Sequence, residues 1–211
     1  MPGLPSGHDA ESDPTGWFEP LYARGEREGT PPPWGDEGEP NRVLAAWARE
    51  RGLDGHGRTA AVVGVGLSGD AEHLASIGFD TLGFDVSPTA VRVAAQRSTQ
   101  PNARYEVGDL LALPAAWRGA FDLVAELWTV QALPVAIRDE AVAAIASLVA
   151  PGGTLFASGH VRADDAPPSD GPPWLLTRAE MARFGAGPLR TVALDDVDGM
   201  WRGEYVRERD R

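Results

Sequence analysis

An apolar run from Ala60 to Val65 opens into the glycines Gly64, Gly66 and Gly69, and a second apolar run then ends on Asp85. A buried strand that leads through glycines into a helix lets backbone amides approach a ligand closely. An acid at the end of the next strand can accept hydrogen bonds from ribose hydroxyls. The combination predicts an open α/β sheet that binds a nucleoside-containing cofactor.

Strands and helices alternate through the rest of the chain. Apolar runs predict strands at 60–65, 81–84, 103–107, 121–126 and 153–158, and helical periodicity predicts helices at 42–51, 69–77, 88–97 and 135–149. Two more strands, 189–194 and 200–206, are joined by so short a link that they must be antiparallel. The pattern predicts a Rossmann-like α/β fold, with an open seven-stranded, mostly parallel sheet, a C-terminal antiparallel hairpin and helices on both faces.

Composition divides the chain into three segments. Residues 1–15 are rich in Gly, Pro, Ser and Asp and are predicted to be flexible. Residues 16–58 form an N-terminal extension whose aromatic residues can cover a cofactor or a substrate. Residues 59–211 form the cofactor-binding domain, since 211 residues suffice for one domain with a sizeable core.

The composition also excludes several kinds of chemistry. The chain has no cysteine, no lysine and four histidines without metal-binding spacing, so we expect no disulfide, no Schiff base and no metal site. A net charge of −12 without a basic stripe disfavours nucleic acid and anionic membranes. No signal peptide or membrane-spanning run is present. We expect a cytoplasmic protein, a monomer or weak homodimer, that acts on a small molecule.

Four acids lie at the end of the sheet where a ligand binds: Asp70, Asp85, Asp109 and Glu126. Asp70 comes just after the glycines, and the other three lie at the carboxyl ends of predicted strands. A rim of carboxylates suits a ligand that carries a sulfonium and an ammonium better than one that carries a pyrophosphate. This favours S-adenosylmethionine (SAM), with S-adenosylhomocysteine (SAH) as product, over a nicotinamide dinucleotide.

Between about residues 17 and 207 the chain resembles the class I SAM-dependent methyltransferases, and among them the thiopurine S-methyltransferase-like group. The resemblance lies in the tryptophan-bearing extension, the stretches 62–70, 83–90 and 108–110, and the closing hairpin. Relatives often carry Cys at the place of Val65 and an acid or Gly near Ser68, so this chain departs from them within the glycine turn.

The resemblance implies a cofactor site. The turn around Gly64, Val65 and Gly66 approaches the methionyl part of the cofactor, and Asp70 faces its amino group. Asp85 binds the ribose and Val86 lies against the adenine, whose amino group Asp109 receives beside the Leu110 backbone. Trp34 closes over the cofactor or the acceptor, and Glu126 orients the sulfonium or the acceptor.

The methyl acceptor is expected to enter between aromatic residues: Trp17 and Phe18 in the extension, Trp128 and Gln131 after the fourth strand, and Trp174 in a later loop. Glu126 and His160 are the candidate catalytic residues, although a structural role for Glu126 and a solvated loop position for His160 remain alternatives. The predicted reaction is methyl transfer by in-line displacement to S, N or O of a small planar or apolar molecule. An NAD(P)-linked oxidoreductase and a non-catalytic SAM- or nucleotide-binding module remain the alternatives.

Overall fold

The computed structural model of the 211-residue chain describes residues 13–35, 38–67, 69–168 and 171–209. Most of the segment predicted to be flexible, and Ser68 in the glycine turn, lie outside the described residues. No helix in the described ranges is long and apolar enough to cross a membrane.

The structure confirms the predicted sheet. Its seven strands run in the order β3-β2-β1-β4-β5-β7-β6, and all neighbours are parallel except β5–β7 and β7–β6. The strands are β1 (Thr59–Val63), β2 (Asp80–Asp85), β3 (Ala103–Val107), β4 (Phe121–Leu127), β5 (Val149–Ser158), β6 (Leu189–Val197) and β7 (Met200–Arg207). The strand order reverses between β1 and β4, and ligands of open α/β sheets bind at such a reversal.

The described part of the chain contains six α-helices around the sheet: α1 (Phe18–Glu28), α2 (Arg42–Glu50), α3 (Gly69–Ser76), α4 (Pro88–Arg97), α5 (Val135–Leu148) and α6 (Arg178–Ala182). Helices α2 and α3 pack with Ala60, Val62 and Phe156 on one face. Helices α5 and α6 pack with Val63 and Val124 on the other. The predicted layer of helices on each face of the sheet is therefore present.

Side-chain caps mark the starts of three helices. The Asn41 side chain accepts hydrogen bonds from the amides of Val43 and Leu44, and Ser87 accepts one from the Ala90 amide ahead of α4. Thr177 and Glu180 form a reciprocal capping box on α6. Each cap satisfies amides that the first helical turn leaves without a partner, which fixes where the chain enters the helix.

Some boundaries differ from the predicted ones. Strand β1 ends at Val63 rather than Val65, because Gly64 already adopts a positive φ of 61° and turns the chain out of the sheet. In the extension, where the sequence predicted no element before residue 42, Phe18–Glu28 form an 11-residue helix, α1, which packs on α4. This packing brings the extension over the carboxyl end of β2.

Candidate functional site

Two adjoining cavities lie at the carboxyl ends of β1, β2 and β4. The larger has a volume of about 490 Å³ and the smaller about 410 Å³. Both are lined by the same group of six residues: Trp34, Val63, Gly64, Leu127, Trp128 and His160. These six residues form the junction between the two cavities.

The glycine turn lies at this junction. Gly64 and Gly66 have φ values of 61° and 53°, which side chains with a Cβ rarely adopt. A Cβ on Gly64 would lie only 2.4 Å from Oγ1 of Thr129, whose hydroxyl donates to the Val63 carbonyl at 3.0 Å. The turn therefore packs against the segment after β4 with no room for a side chain at residue 64.

Asp85 lies at the end of β2 and lines the larger cavity. Its carboxylate accepts hydrogen bonds from the amides of Gly66 at 3.1 Å and Ser87 at 2.9 Å. Burial raises its pKa to about 6, although these amides favour the ionised form. Each carboxylate oxygen keeps lone-pair capacity beyond its amide partner, so Asp85 can also accept from a hydroxyl of a ligand.

Asp70 serves the smaller cavity. It lies in the first turn of α3 and accepts a hydrogen bond from the Asn41 amide at 2.7 Å. Burial raises its pKa to about 6. A buried carboxylate of this kind gains from a cationic ligand, because the cation replaces the solvation that burial removes.

Three further predicted cofactor residues line the larger cavity: Val86, Asp109 and Leu110. Asp109 follows β3 and caps a 3-10 turn (Leu110–Ala112) by accepting from the Leu111 amide at 2.8 Å. Its side chain is exposed at the rim. No arginine lines the larger cavity within the described ranges, so the charge that a ligand meets there is negative.

The N-terminal extension supplies one wall of the larger cavity with Trp17, Phe18, Tyr22 and Trp34. The ring centroids of Trp17 and Phe18 are 4.0 Å apart, and Trp34 contacts Trp17 and Tyr22 edge-on at 6.3 and 5.7 Å. Aromatic faces at these distances form a rigid apolar wall against which a planar molecule can stack.

Glu19 anchors this wall to the sheet. Its carboxylate accepts from the Ser87 hydroxyl, from the Thr89 amide at 3.0 Å and from the Thr89 hydroxyl at 2.7 Å. Burial opposes its ionisation, but these hydrogen bonds outweigh burial and lower the pKa of Glu19. Glu19 thus holds α1 at the N-terminus of α4, two residues beyond Asp85.

The segment after β4 and the end of β5 supply the opposite wall, through Trp128, Gln131 and His160. Trp128 adopts a positive φ of 68°, and its ring lies 5.3 Å from the imidazole of His160. The side-chain oxygen of Gln131 accepts from the His160 amide at 2.7 Å. Burial lowers the pKa of His160, so the imidazole is neutral at pH 7.

Glu126 does not reach either cavity, contrary to the expectation that it acts on the cofactor or the acceptor. Strand alternation turns its side chain to the face of β4 that bears Val124 and packs against α5. Its carboxylate is fully buried and accepts from the Val130 amide at 2.9 Å, while Oε2 has no partner. Burial raises its pKa to about 7.

Trp174 also lies away from the cavities, contrary to its expected contact with the acceptor. The ring is buried beside the Arg138 guanidinium, 6.0 Å away, and the guanidinium donates to the Trp174 carbonyl at 3.1 Å. Pro172 and Pro173 line the larger cavity in its place. Gly66 lines neither cavity, because its amide is turned to Asp85.

Of the candidate site residues, the cavities bring together Trp17, Phe18, Trp34, Gly64, Val65, Asp70, Asp85, Val86, Asp109, Leu110, Trp128, Gln131 and His160. Sequence reasoning missed Tyr22, Phe84 and Thr129 as lining residues and Glu19 as the anchor. An acid in the first turn of an amphipathic segment was the available signal for Glu19, but it did not indicate which element it would contact.

Residues 61–153 match the family model described as a methyltransferase domain. This segment runs from β1 into β5 and contains the glycine turn, Asp85 and Asp109. Over this stretch the chain is similar to methyltransferase domains.

Solved structures with the same fold are similar over most of the chain. One comes from work on the conversion of a disulfide bond into a thioacetal group during echinomycin biosynthesis. It is 24% identical with a TM-score of 0.72, covering 92% of this chain and 91% of the other. A second is the Burkholderia thailandensis 1,6-didemethyltoxoflavin-N1-methyltransferase with its acceptor and SAH bound, at 18% identity, TM-score 0.70 and 98% and 92% coverage. A third is the magnesium protoporphyrin IX methyltransferase of Synechocystis PCC 6803 with SAH, at 18% identity, TM-score 0.63 and 78% and 80% coverage.

Proposed function

We propose that the protein is a SAM-dependent methyltransferase that moves a methyl group to a sulfur, nitrogen or oxygen atom of a small planar molecule. The observation that carries the proposal is the placement of Asp70, Asp85 and Asp109 around two joined cavities at the glycine turn. The match to the methyltransferase domain model supports it, as do the structural neighbours that hold bound SAH. The likeness to the thiopurine S-methyltransferase-like group is part of the proposal.

The carboxylates of the two cavities fit SAM. Asp85 accepts from ribose hydroxyls with the lone pairs that its amide partners leave free, and Asp109, at the exposed rim of the same cavity, receives an adenine amino group. Asp70 pairs with an ammonium in the smaller cavity. A pyrophosphate would meet the carboxylates of the larger cavity without an arginine to balance it, so a dinucleotide fits less well.

Bound SAM supplies an activated methyl group on a positively charged sulfur. The chain therefore has to bind the acceptor, align it with the methyl group and exclude water, and it does not need to provide a strong acid or base. Asp70 lies in the smaller cavity and Asp85 in the larger one, so a ligand that uses both must cross the junction at Gly64. We place the reacting atoms at this junction, beside Trp128 and His160.

The acceptor stacks in the remainder of the larger cavity. Trp17, Phe18 and Trp34 lie on one side, and Gln131 and Pro172 on the other. Aromatic walls hold a flat molecule through its faces and need few hydrogen bonds to do so. Glu19 contributes by holding the aromatic wall in place.

Calorimetric titration with SAH and, separately, with NADH tests the cofactor. We expect micromolar SAH binding and no heat with NADH; NADH binding without SAH binding would show an oxidoreductase instead. Incubation with methyl-labelled SAM and a panel of thiols, amines, phenols and halides then tests turnover. SAH binding with no labelled product from any acceptor class would indicate a binding module.

A further inference from the structure

The contact between Gln131 and His160 decides which nitrogen of the imidazole carries its proton. The Gln131 side-chain oxygen accepts from the His160 backbone amide at 2.7 Å. A backbone amide can only donate, so this bond fixes the orientation of the carboxamide, with its nitrogen turned toward the ring.

That nitrogen lies 3.0 Å from Nδ1 of His160. A carboxamide nitrogen can only donate, so Nδ1 has to accept and therefore carries no proton. The Gln131 oxygen is 3.3 Å from the same Nδ1, which would suit the opposite tautomer. We favour the first assignment because a proton on Nδ1 would face the carboxamide hydrogens at the shorter distance.

Nε2 is then the protonated nitrogen of a neutral ring. It has no hydrogen-bond partner among the described residues, and His160 lines the junction of the two cavities. Nε2 is not fully buried, so it is open to the cavity rather than enclosed in the core.

The main chains of His160 and Gln131 are each held by a hydrogen bond. The His160 carbonyl accepts from the Leu176 amide at 3.0 Å, and the Gln131 carbonyl accepts from the Trp174 amide at 2.8 Å. A Cβ on Gly159 would come within 3.3 Å of the Gln131 oxygen and 2.9 Å of Leu176. The small residue before His160 allows the carboxamide to approach this closely.

We propose that Gln131 holds His160 as the Nε2-protonated tautomer, so that His160 donates a hydrogen bond to the methyl acceptor and does not act as its general base. This rests on the proposed function for the identity of the ligand, but the tautomer itself does not. Gln131 is a positioning residue, and His160 sets specificity.

The surroundings define the class of acceptor. A donor at the junction requires a lone pair on the acceptor, such as a ring nitrogen or a carbonyl oxygen. The aromatic walls require a flat molecule, and Asp85 and Asp109 disfavour an anion, since no described arginine lines the larger cavity. The preferred acceptor is thus a neutral planar heterocycle or carbonyl compound.

NMR of the protein labelled with nitrogen-15 tests the tautomer without any ligand. At pH 8, we expect a pyridine-type signal for Nδ1 of His160 and a pyrrole-type signal for Nε2, assigned by their loss in H160F. In Q131E the new side chain can only accept, so the proton should move to Nδ1, whereas Q96E at an exposed glutamine of α4 should change nothing. A pyrrole-type Nδ1 in the wild type, or a Q131E spectrum like that of the wild type, overturns the proposal.

Binding of isoquinoline and naphthalene, followed by tryptophan fluorescence at pH 8, tests the donor. The two probes have the same shape, and isoquinoline alone has a ring lone pair. We expect isoquinoline to bind about 2- to 10-fold more tightly to the wild type, the range of one hydrogen bond, and equally to H160F. A preference that survives in H160F, or no binding of either probe, overturns the acceptor contact. SAH calorimetry on the same protein reports separately on the proposed function.

Discussion

The carboxylate of Asp85 accepts a hydrogen bond from the backbone amide of Gly66 at 3.1 Å. This bond joins the acid at the end of β2 to the glycine turn that follows β1, although 19 residues separate them. The acid is thus placed by the same turn that opens the cavity.

Replacing Asp85 should weaken cofactor binding. In D85A, the proposed hydrogen bonds to the ribose are lost and the Gly66 amide loses its partner, so we expect SAH affinity to fall by about 1–3 kcal/mol, roughly 5- to 150-fold. D80A, at the exposed opposite end of β2, is the matched control and should bind SAH as the wild type does. Calorimetry measures both; equal affinity in D85A would remove Asp85 from the site.

Gly64 should tolerate no side chain. In G64A, the positive φ costs about 1–2 kcal/mol, and the new Cβ, 2.4 Å from Thr129 Oγ1, adds a further loss of about 1–3 kcal/mol. Gly57 also has a positive φ, of 74°, but a Cβ there would meet open space. The stability of G57A should therefore fall only by the cost of the positive φ, about 1–2 kcal/mol. Urea unfolding gives the free energies.

The clash itself can be tested by removing its partner. The Thr129 hydroxyl also donates to the Val63 carbonyl, so T129A has a cost of its own and serves as the reference. Without the hydroxyl, the Gly64→Ala change should cost less in the T129A background than in the wild type. If G64A costs no more than G57A, or if its cost is the same in both backgrounds, the close packing of the glycine turn on the segment after β4 is wrong.

Local sequence signals predicted the features whose partners are near in the chain. The helices that begin at Arg42 and Pro88 were predicted at these starts, and their caps, Asn41 and Ser87, bond amides only two or three positions away. The sheet, including the antiparallel hairpin, followed from apolar runs and link lengths, and the ends of β1 and β2 placed Asp85 at the site.

The site residues that were missed or misplaced depend on distant contacts. Glu19 anchors to Thr89, 70 residues away, and no local pattern indicates that pairing. Trp174 is held by Arg138, 36 residues away, and turns inward to it. Glu126 was expected at the rim from its place at the end of β4, but strand alternation directs its side chain to the face of the sheet that bears Val124 and packs against α5.

Glu19 should stabilise the N-terminal wall. In E19A, the Thr89 amide and the Ser87 hydroxyl lose their acceptor, and we expect a loss of about 1–2 kcal/mol, as for a helix cap. E28A, at the exposed end of the same helix, should change stability by less than about 0.5 kcal/mol. Hydrogen exchange should be faster throughout α1 in E19A only; unchanged exchange there would show that the aromatic wall is held by other contacts.

Glu126 should make the unfolding free energy depend on pH. Burial raises its pKa from 4.5 to about 7, so the folded state binds a proton more tightly than the unfolded state does. The contribution of Glu126 to the free energy of unfolding is therefore greatest at low pH and is lost as the pH rises from about 4.5 through 7. Between pH 5.5 and 8, the stability of the wild type relative to E126Q should fall by about 2 kcal/mol, the equivalent of 1.5 pKa units.

This comparison isolates Glu126 from the other buried groups, because the raised pKa of Asp85 and the lowered pKa values of His73 and His160 are common to both proteins and cancel in the difference. E140Q, at an exposed glutamate of α5, should follow the wild type at every pH. Urea unfolding at pH 5.5, 6.5, 7.2 and 8 gives the curves. A constant difference between the wild type and E126Q would mean that the Glu126 carboxyl has the same charge in the folded and unfolded states.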